Sequence, residues 1–264
     1  MTTIDGVLLD MDGVLTVSFR PIDGAVEAVD ELRRRMLPLR VVTNWTGLSR
    51  RELVERLTSA GFDVGVDEVL TAPTATAAYL QRTRPGARCF LLGERGGVME
   101  DLAGVDWVED EADAADVVVV GGADEAFGFD ALNRALRMIV GGAGLVSMHR
   151  NLSWMTAQGL CLDAGAYLMG LEAATGVTAA VTGKPAPEFF RAALESIALT
   201  PERTAMVGDD VETDVLAAQA LGIAGVLVRT GKVLPDTLAR ASGEPDHVIE
   251  SVAGLPALLD ILRH

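Results

Sequence analysis

Four short stretches of the sequence place charged or reactive side chains directly after an apolar run. They are DMDGVLT at 10–16, VVTNWTG at 41–47, TGKPAPEFF at 182–190 and VGDDVETDV at 207–215. Because the carboxyl ends of parallel strands meet along one edge of a sheet, these stretches can bring their side chains together. That edge would hold four carboxylates, a hydroxyl, an amide and one ammonium group.

The carboxylates among these side chains indicate a metal site. Asp10, Asp12 and Asp209 offer hard oxygen ligands, which favour Mg²⁺ held together with several waters and a phosphate oxygen. Asp10 and Asp12 are spaced i, i+2, so in a strand their like charges would repel each other on one face. A bound cation would offset that repulsion.

The remaining polar groups indicate phosphate binding. The Thr43 hydroxyl, Asn44 and the Lys184 ammonium can bind the equatorial oxygens of a phosphoryl group and neutralise its charge in the transition state. We therefore predict phosphoryl transfer, with Thr43, Asn44 and Lys184 as substrate-binding residues.

The two aspartates of the first stretch can divide the chemistry between them. One Asp10 oxygen can attack phosphorus and form an aspartyl-phosphate. Asp12 can protonate the leaving oxygen and later deprotonate the attacking water, while Gly13 permits the tight turn that brings both side chains over the site. Asp214 is expected to orient Lys184 or a metal-bound water.

Composition limits the partners of the protein. The chain of 264 residues has a formal charge of −16 and contains no extended clusters of Lys and Arg. Both observations argue against a nucleic-acid-binding surface. Cys89 and Cys161 are isolated and are read as reduced cysteines. We find neither a signal peptide nor a long apolar run, so we expect a cytoplasmic protein with a small phosphorylated substrate and no membrane partner. A homo-oligomer is left open.

The order of predicted elements indicates an α/β fold. Short apolar runs, among them VLL before Asp10 and VVVV at 117–120, alternate with helical patterns, as expected of a parallel sheet. We expect a Rossmann-like catalytic core at 1–72 and 180–264. The middle of the chain, 73–179, has its own strands and helices and is predicted to be a smaller inserted α/β cap domain.

The four polar stretches resemble, in order, the four motifs of the haloacid dehalogenase (HAD) superfamily of phosphohydrolases. The resemblance covers the whole chain and implies an HAD-like core and a Mg²⁺-dependent phosphatase. It also implies site roles: Asp10 as nucleophile, Asp12 as acid/base and as a metal ligand through its backbone carbonyl, Thr43 and Lys184 as phosphate binders, and Asp209 as metal ligand.

The insertion looks like the α/β cap of the NagD-like branch of that superfamily. Members of this branch act on small organic phosphates, so the resemblance implies a phosphomonoester, a nucleotide or sugar phosphate, or pyrophosphate as substrate. The substrate contacts of the cap are left open. The side chains considered for them, together with two near the motifs, are Arg20, Trp45, His149, Arg150 and Trp154.

The same residues also allow other functions to be considered. A dehalogenase would not need Asp12 as acid/base, and a phosphonatase needs a cap lysine, which 73–179 lacks. A phospho-acceptor signalling module would also use an Asp, an acidic metal pocket, Thr and Lys. Such modules are usually about half this length, and their acidic pair precedes the acceptor. A non-catalytic phosphate-binding relative is the last alternative.

Overall fold

The computed structural model of the protein describes residues 3–156, 159–231 and 237–262. It divides into two compact units. The first unit consists of Met1–Thr43, Arg50–Leu70 and Lys184–His264, and the second consists of Asn44–Ser49 and Thr71–Gly183. The predicted boundaries of the cap domain, 73 and 179, stay a prediction.

Strands and helices alternate along most of the described chain. The strands are Gly6–Leu9 (β1), Thr16–Val17 (β2), Arg20–Pro21 (β3), Leu39–Thr43 (β4), Val69–Thr71 (β5), Arg88–Leu92 (β6), Asp106–Trp107 (β7), Val117–Val120 (β8), Gly144–Ser147 (β9), Ser153–Thr156 (β10), Gly159–Leu162 (β11), Ala180–Val181 (β12), Thr204–Gly208 (β13), Ala224–Val228 (β14) and His247–Ile249 (β15). The α-helices are Ala25–Arg34 (α1), Arg50–Ser59 (α2), Ala72–Thr83 (α3), Phe129–Val140 (α4), Ala164–Thr175 (α5), Pro187–Ile197 (α6), Ala217–Gln219 (α7), Thr237–Arg240 (α8) and Leu255–Leu262 (α9). A π-helix, Val211–Leu216, leads into α7, and 3₁₀ turns cover Val66–Glu68, Gly97–Glu100, Pro201–Arg203 and Val252–Gly254.

The first unit is built on a six-stranded sheet with the order β15-β14-β13-β1-β4-β5. The pairs of β1 with β13 and β4, of β13 with β14, and of β14 with β15 are parallel. All four residues of β1 are buried, because a strand covered on both faces must be apolar throughout. Helix α1 buries Ala25, Ala28, Val29 and Leu32, which recur at helical spacing on one face.

The register of this sheet brings three strand ends to nearly the same level. Leu9 at the end of β1 is paired with Val207 of β13 and with Val41 of β4. Asp10 therefore follows β1 at the edge where β4 ends in Thr43 and where Asp209 follows β13.

The second unit has its own parallel sheet, with the order β12-β9-β8-β6-β7. Alternate residues of the buried strand β8 belong to two separate apolar clusters. Val118 and Val120 pack with α4 and α5, and Val117 and Val119 pack with α3, as the period of two in a strand requires. An antiparallel hairpin, β10–β11, precedes α5.

The observed architecture confirms the predicted α/β class with a parallel-sheet core. Strands occur at every apolar run assigned to one, including VLL before Asp10 and VVVV at 117–120. The sequence reading missed short strands such as β5, β7 and β15, whose two or three residues carry little pattern. In the described residues, no helix combines the length and the apolar character that crossing a bilayer requires.

Candidate active site

Three of the predicted site residues lie at the carboxyl edge of the first unit's sheet. Asp10, Thr43 and Asp209 end or follow the adjacent strands β1, β4 and β13, and all three are buried. Asp10 is fixed there through its backbone, because its N–H donates a 2.9 Å hydrogen bond to Val207 O of the neighbouring strand. A buried polar strand end at this edge is where open α/β sheets place their chemistry.

Lys184 occupies the centre of the site between two carboxylates. Its side chain is 4% exposed, and Nζ lies 2.5 Å from Asp10 Oδ1 and 2.7 Å from Asp214 Oδ1. The 2.5 Å contact is also a hydrogen bond, donated by the ammonium. Since a buried ammonium is costly without partners, the two carboxylates are what hold this lysine in the fold.

The pKa values of this group reflect the balance between burial and charge. Burial alone would lower the pKa of Lys184, but the adjacent Asp10 and Asp214 carboxylates outweigh it and raise that pKa well above its usual range. Burial raises the pKa of Asp214 to about 6, with the Asp10 charge adding to the rise and Lys184 opposing it. Lys184 therefore carries its positive charge throughout the physiological pH range.

Three carboxylates converge closely enough to hold a metal ion. One oxygen from each of Asp10, Asp209 and Asp214 lies within 4.8 Å of the others, and all three residues are buried. Two oxygens on opposite sides of Mg²⁺ are about 4.2 Å apart, so this spacing is of the size that a shared Mg²⁺ requires. In the part of the chain that the structure describes, no other group of three His, Cys, Asp or Glu side chains meets this condition.

Glycines provide the space for these carboxylates. A Cβ atom at Gly208 would overlap the Asp214 side chain, and one at Gly13 or at Gly231 would overlap the Asp209 side chain. Gly13 also has a φ of +83°, a left-handed conformation that glycine adopts without steric cost. The donor set and the cleared space both fit a small divalent cation.

The two acidic residues of the GDD stretch have different surroundings. Asp210 begins the π-helix, and its Oδ1 accepts hydrogen bonds of 3.1 and 3.0 Å from the N–H groups of Glu212 and Thr213. This is the usual task of an N-cap aspartate. Asp209, and not Asp210, therefore belongs to the carboxylate group. Asp214 lies in the π-helix, and its side chain contacts Lys184.

Asp12 lies in the turn that follows β1. It is half-buried and forms an isolated bridge with Thr16, while Gly13 N donates a 2.7 Å hydrogen bond to Thr16 O. The turn therefore stays short and rigid between the predicted nucleophile and strand β2. The acid/base role of Asp12 and its carbonyl contact to a metal stay predictions.

Asn44 directly follows Thr43 in the chain but is grouped with the second unit. There, a Cβ atom at Gly183 would come within 2.5 Å of Asn44 Oδ1. Its predicted phosphate-binding role stays a prediction. Trp45 is half-buried in the same segment, and Arg20 is exposed in the hairpin of the first unit.

The candidate substrate contacts of the cap differ in exposure. His149 is buried beside Asp163, with Nε2 3.8 Å from Asp163 Oδ1, and Arg150 forms a bidentate ion pair with Glu172. Trp154 is exposed on the β10–β11 hairpin. His149 and Arg150 therefore both contact acidic side chains of the second unit.

Two features of the site go beyond the residue roles predicted from the sequence. Asp214 is the third member of the carboxylate group, whereas the sequence reading assigned it a supporting role only. Thr230 and Gly231 follow β14 at the same edge of the sheet, and Thr230 bonds to Gly13 O. The available signal was a fifth polar strand end, RTG after GVLV at 225–228.

Two family models match the parts of the chain that contain the four polar stretches. The family model described as haloacid dehalogenase-like hydrolase matches residues 7–108, and the one described as HAD-hydrolase-like matches residues 181–255. The phospholysine phosphohistidine inorganic pyrophosphate phosphatase of Rattus norvegicus is 38% identical over 262 residues, covering 96% of this chain and 94% of the relative.

Two solved structures are similar over nearly the whole chain. A p-nitrophenyl phosphatase from Archaeoglobus fulgidus matches with a TM-score of 0.88 and 33% identity, covering 97% of this chain and 99% of that one. NagD from E. coli K-12 matches with a TM-score of 0.84 and 30% identity, covering 95% and 98%. These matches confirm the resemblance inferred from the four polar stretches, including its NagD-like character.

Proposed function

The chain belongs to the haloacid dehalogenase-like hydrolases and is a phosphohydrolase, and we propose that it is a Mg²⁺-dependent phosphatase. Its substrate is a small organic phosphate, either a phosphomonoester such as a nucleotide or sugar phosphate, or pyrophosphate. The reaction passes through an aspartyl-phosphate at Asp10. The phosphatase names of the similar proteins support this reaction class.

The observation that carries the proposal is an ammonium buried between carboxylates at the edge of a parallel sheet. Lys184 contacts Asp10 and Asp214, and Asp209 completes a group of three acids beside it. Such a site is suited to a dianionic phosphoryl group, which needs positive charge on one side and a carboxylate nucleophile on the other.

The proposed metal ligands are Asp10, Asp209 and the Asp12 backbone carbonyl, with Asp214 close enough to contribute. A bound Mg²⁺ would neutralise the negative charge that accumulates on the phosphoryl oxygens. The oxygen-only donor set and the glycine-lined space around Asp209 support this choice of ion.

In the first step, a carboxylate oxygen of Asp10 attacks phosphorus as the bond to the leaving oxygen breaks. Lys184 and the Thr43 hydroxyl bind the phosphoryl oxygens and hold the phosphorus in line with Asp10. Asp12, in its protonated form, gives its proton to the leaving oxygen, so that a phosphomonoester releases a neutral alcohol and pyrophosphate releases a protonated phosphate.

In the second step, Asp12 is a carboxylate and takes a proton from water. The water oxygen attacks phosphorus, the bond to Asp10 breaks, and inorganic phosphate forms with Asp10 again ionised. The same residue therefore serves as acid and then as base, which returns the site to its starting protonation state.

The other predicted substrate contacts belong to this proposal. Asn44 is proposed to bind the phosphoryl group from the segment that links the strand end of Thr43 to α2. The predicted cytoplasmic location and the absence of nucleic-acid partners stay predictions, and a homo-oligomer stays open.

The test is phosphate release across a panel of substrates with and without Mg²⁺. The panel contains p-nitrophenyl phosphate, nucleotides, sugar phosphates, phosphohistidine and pyrophosphate. We expect Mg²⁺-dependent release from at least one of them, and its loss in Asp10→Asn. Asp210→Asn is the matched control, because asparagine caps a helix as well as aspartate does and Asp210 is outside the carboxylate group. Absence of release from the whole panel would contradict the proposal.

A further inference from the structure

The Asp209 carboxylate lies between two loops that come from distant parts of the chain. A Cβ atom at Gly13 or at Gly231 would overlap Asp209 Oδ2, so both backbones approach that oxygen closely. Gly13 follows β1, and Gly231 lies three residues after β14. Asp209 itself follows β13, the strand between them in the sheet.

A side chain joins these two loops directly. Thr230 Oγ1 donates a 2.5 Å hydrogen bond to Gly13 O, across 217 positions of the sequence. The carbonyl it binds belongs to the turn that carries Asp12, and Gly13 N is engaged with Thr16 O on the other side. Both the N–H and the carbonyl of Gly13 are therefore hydrogen-bonded, which fixes the turn that follows Asp10.

The carboxyl end of β14 is well placed for this contact. Leu227 of β14 is paired with Gly208 of β13, so Thr230 and Gly231 extend past the same edge where Asp209 lies. Four residues of β14, Gly225–Val228, are buried, which anchors the start of the loop in the sheet. The loop thus leaves a rigid element immediately before it reaches Asp209.

We propose that Thr230 and Gly231 are positioning residues for the metal ligand Asp209. The backbones of Gly231 and Gly13 both lie against the Asp209 carboxylate and form a slot for it. The Thr230 hydrogen bond holds these two backbones together. This inference rests on the proposed function, because it assigns Asp209 to Mg²⁺. Restricting a ligand in this way raises metal affinity, since less side-chain freedom is lost when the ion binds.

A positioning role and a structural role of Thr230 differ in their effect on the affinity for Mg²⁺. A threonine with a structural role alone would lower the thermal midpoint of the protein on replacement but leave its affinity for Mg²⁺ unchanged. A positioning role predicts a weaker affinity whatever the change in midpoint. The experiment therefore measures Mg²⁺ binding without turnover, from the rise of the unfolding midpoint with MgCl₂ concentration in the full chain.

The test variants are Thr230→Val, which keeps the shape and removes the hydroxyl, and Thr230→Ser, which restores it. Thr204→Val is the matched control, since Thr204 Oγ1 makes a similar 2.9 Å bond to Thr200 O at the opposite end of β13. We expect the Mg²⁺ dissociation constant to rise about tenfold in Thr230→Val. In Thr230→Ser and Thr204→Val it should stay within about twofold of the original.

A second pair of variants tests the slot itself. Gly231→Ala places a methyl group against Asp209 and is expected to raise the dissociation constant at least about tenfold. Gly65→Ala is its control, because a Cβ atom there lies 3.6 Å from Glu68 Oε2, an ordinary contact. Gly231→Ala keeps the Thr230 side chain and so remains informative if Thr230→Val does not fold.

Two results would overturn the proposal, and only the second would also contradict the proposed function. If the unaltered protein binds Mg²⁺ and both Thr230→Val and Gly231→Ala bind it equally well, the positioning role is wrong and the proposed function stands. If the unaltered protein shows no Mg²⁺-dependent rise of its midpoint, the metal assignment of the proposed function fails as well.

Discussion

Replacing Lys184 by methionine removes the ammonium at the centre of the carboxylate group while keeping a side chain of similar length. Lys184 is 4% exposed and contacts Asp10 and Asp214 at 2.5 and 2.7 Å. Without it, three carboxylates whose oxygens lie within 4.8 Å of one another lose their neutralising charge. Lys184→Met therefore tests the electrostatics of the site in the absence of any substrate.

The expected loss of stability is large because the uncompensated charges are buried. Breaking a buried ion pair by removing one partner costs about 3–5 kcal/mol. For a protein of this size each kcal/mol lowers the midpoint by about 2–4 °C, so the transition of the first unit should fall by about 6–20 °C. Chelator-treated protein followed by circular dichroism and calorimetry gives this shift directly.

The control for this variant is an exposed ion pair in α6. Arg191 Nη1 lies 2.8 Å from Glu188 Oε1, and both side chains are more than half exposed. Arg191→Met should cost less than about 1 kcal/mol, because solvent screens such pairs. If Lys184→Met were no more destabilising than Arg191→Met, the reasoning about the buried charges would be refuted.

The same variant predicts a rescue and a pH dependence. Adding Mg²⁺ or combining Lys184→Met with Asp214→Asn should recover part of the lost stability, since each removes uncompensated negative charge. The raised pKa of Lys184 means that its contribution is fully present below its unfolded value of 10.5 and is lost only as the pH rises through the folded value. In Lys184→Met nothing opposes the rise of the Asp214 pKa, so protonation of the buried carboxyls relieves their repulsion at lower pH. The difference in stability between wild type and Lys184→Met should therefore shrink as the pH falls from about 8 to about 6.

Three further predictions concern other residues. Burial raises the pKa of the Cys89 thiol to about 11, so iodoacetamide at about pH 8 should modify exposed Cys161 and leave Cys89 unmodified until the protein unfolds, as mass spectrometry will show. Val119→Ala in the core of the second unit should cost about 2 kcal/mol in urea unfolding, whereas Val140→Ala on the exposed face of α4 should cost less than about 0.5 kcal/mol. Gly13→Ala should reduce kcat at least about tenfold, because the new methyl group overlaps Asp209 and the left-handed φ disfavours alanine; unchanged kcat would contradict the close approach.

The sequence allowed the strands that carry the chemistry to be predicted because each strand is a local signal. An apolar run such as VLL that ends in an aspartate identifies both the strand and the site residue that follows it. The parallel pairing of such strands then follows from the alternation with helices. Asp10, Thr43 and Asp209 therefore came together at one edge as expected.

The remaining features depend on contacts between distant parts of the chain. The Thr230 bond to Gly13 O spans 217 positions, and the need for glycine at Gly231 appears only once Asp209 is placed beside it. The sequence led us to expect that Asp214 orients Lys184 or a metal-bound water, and Lys184 Nζ lies 2.7 Å from Asp214 Oδ1. The grouping of Asp214 with Asp10 and Asp209 becomes visible only in the folded chain. The grouping of residues 44–49 with the second unit had no sequence signal.

Trapping the intermediate shows whether Asp10 is phosphorylated during the reaction and whether the breakdown of the aspartyl-phosphate depends on Asp12. The leaving group of p-nitrophenyl phosphate departs without a proton, so Asp12→Asn should still form the aspartyl-phosphate but should hydrolyse it slowly. We predict that acid quenching of Asp12→Asn with ³²P-labelled p-nitrophenyl phosphate and Mg²⁺ leaves about one label per chain on the peptide that contains Asp10. Label on a different residue, or rapid turnover by Asp12→Asn with no labelled protein, would contradict the account.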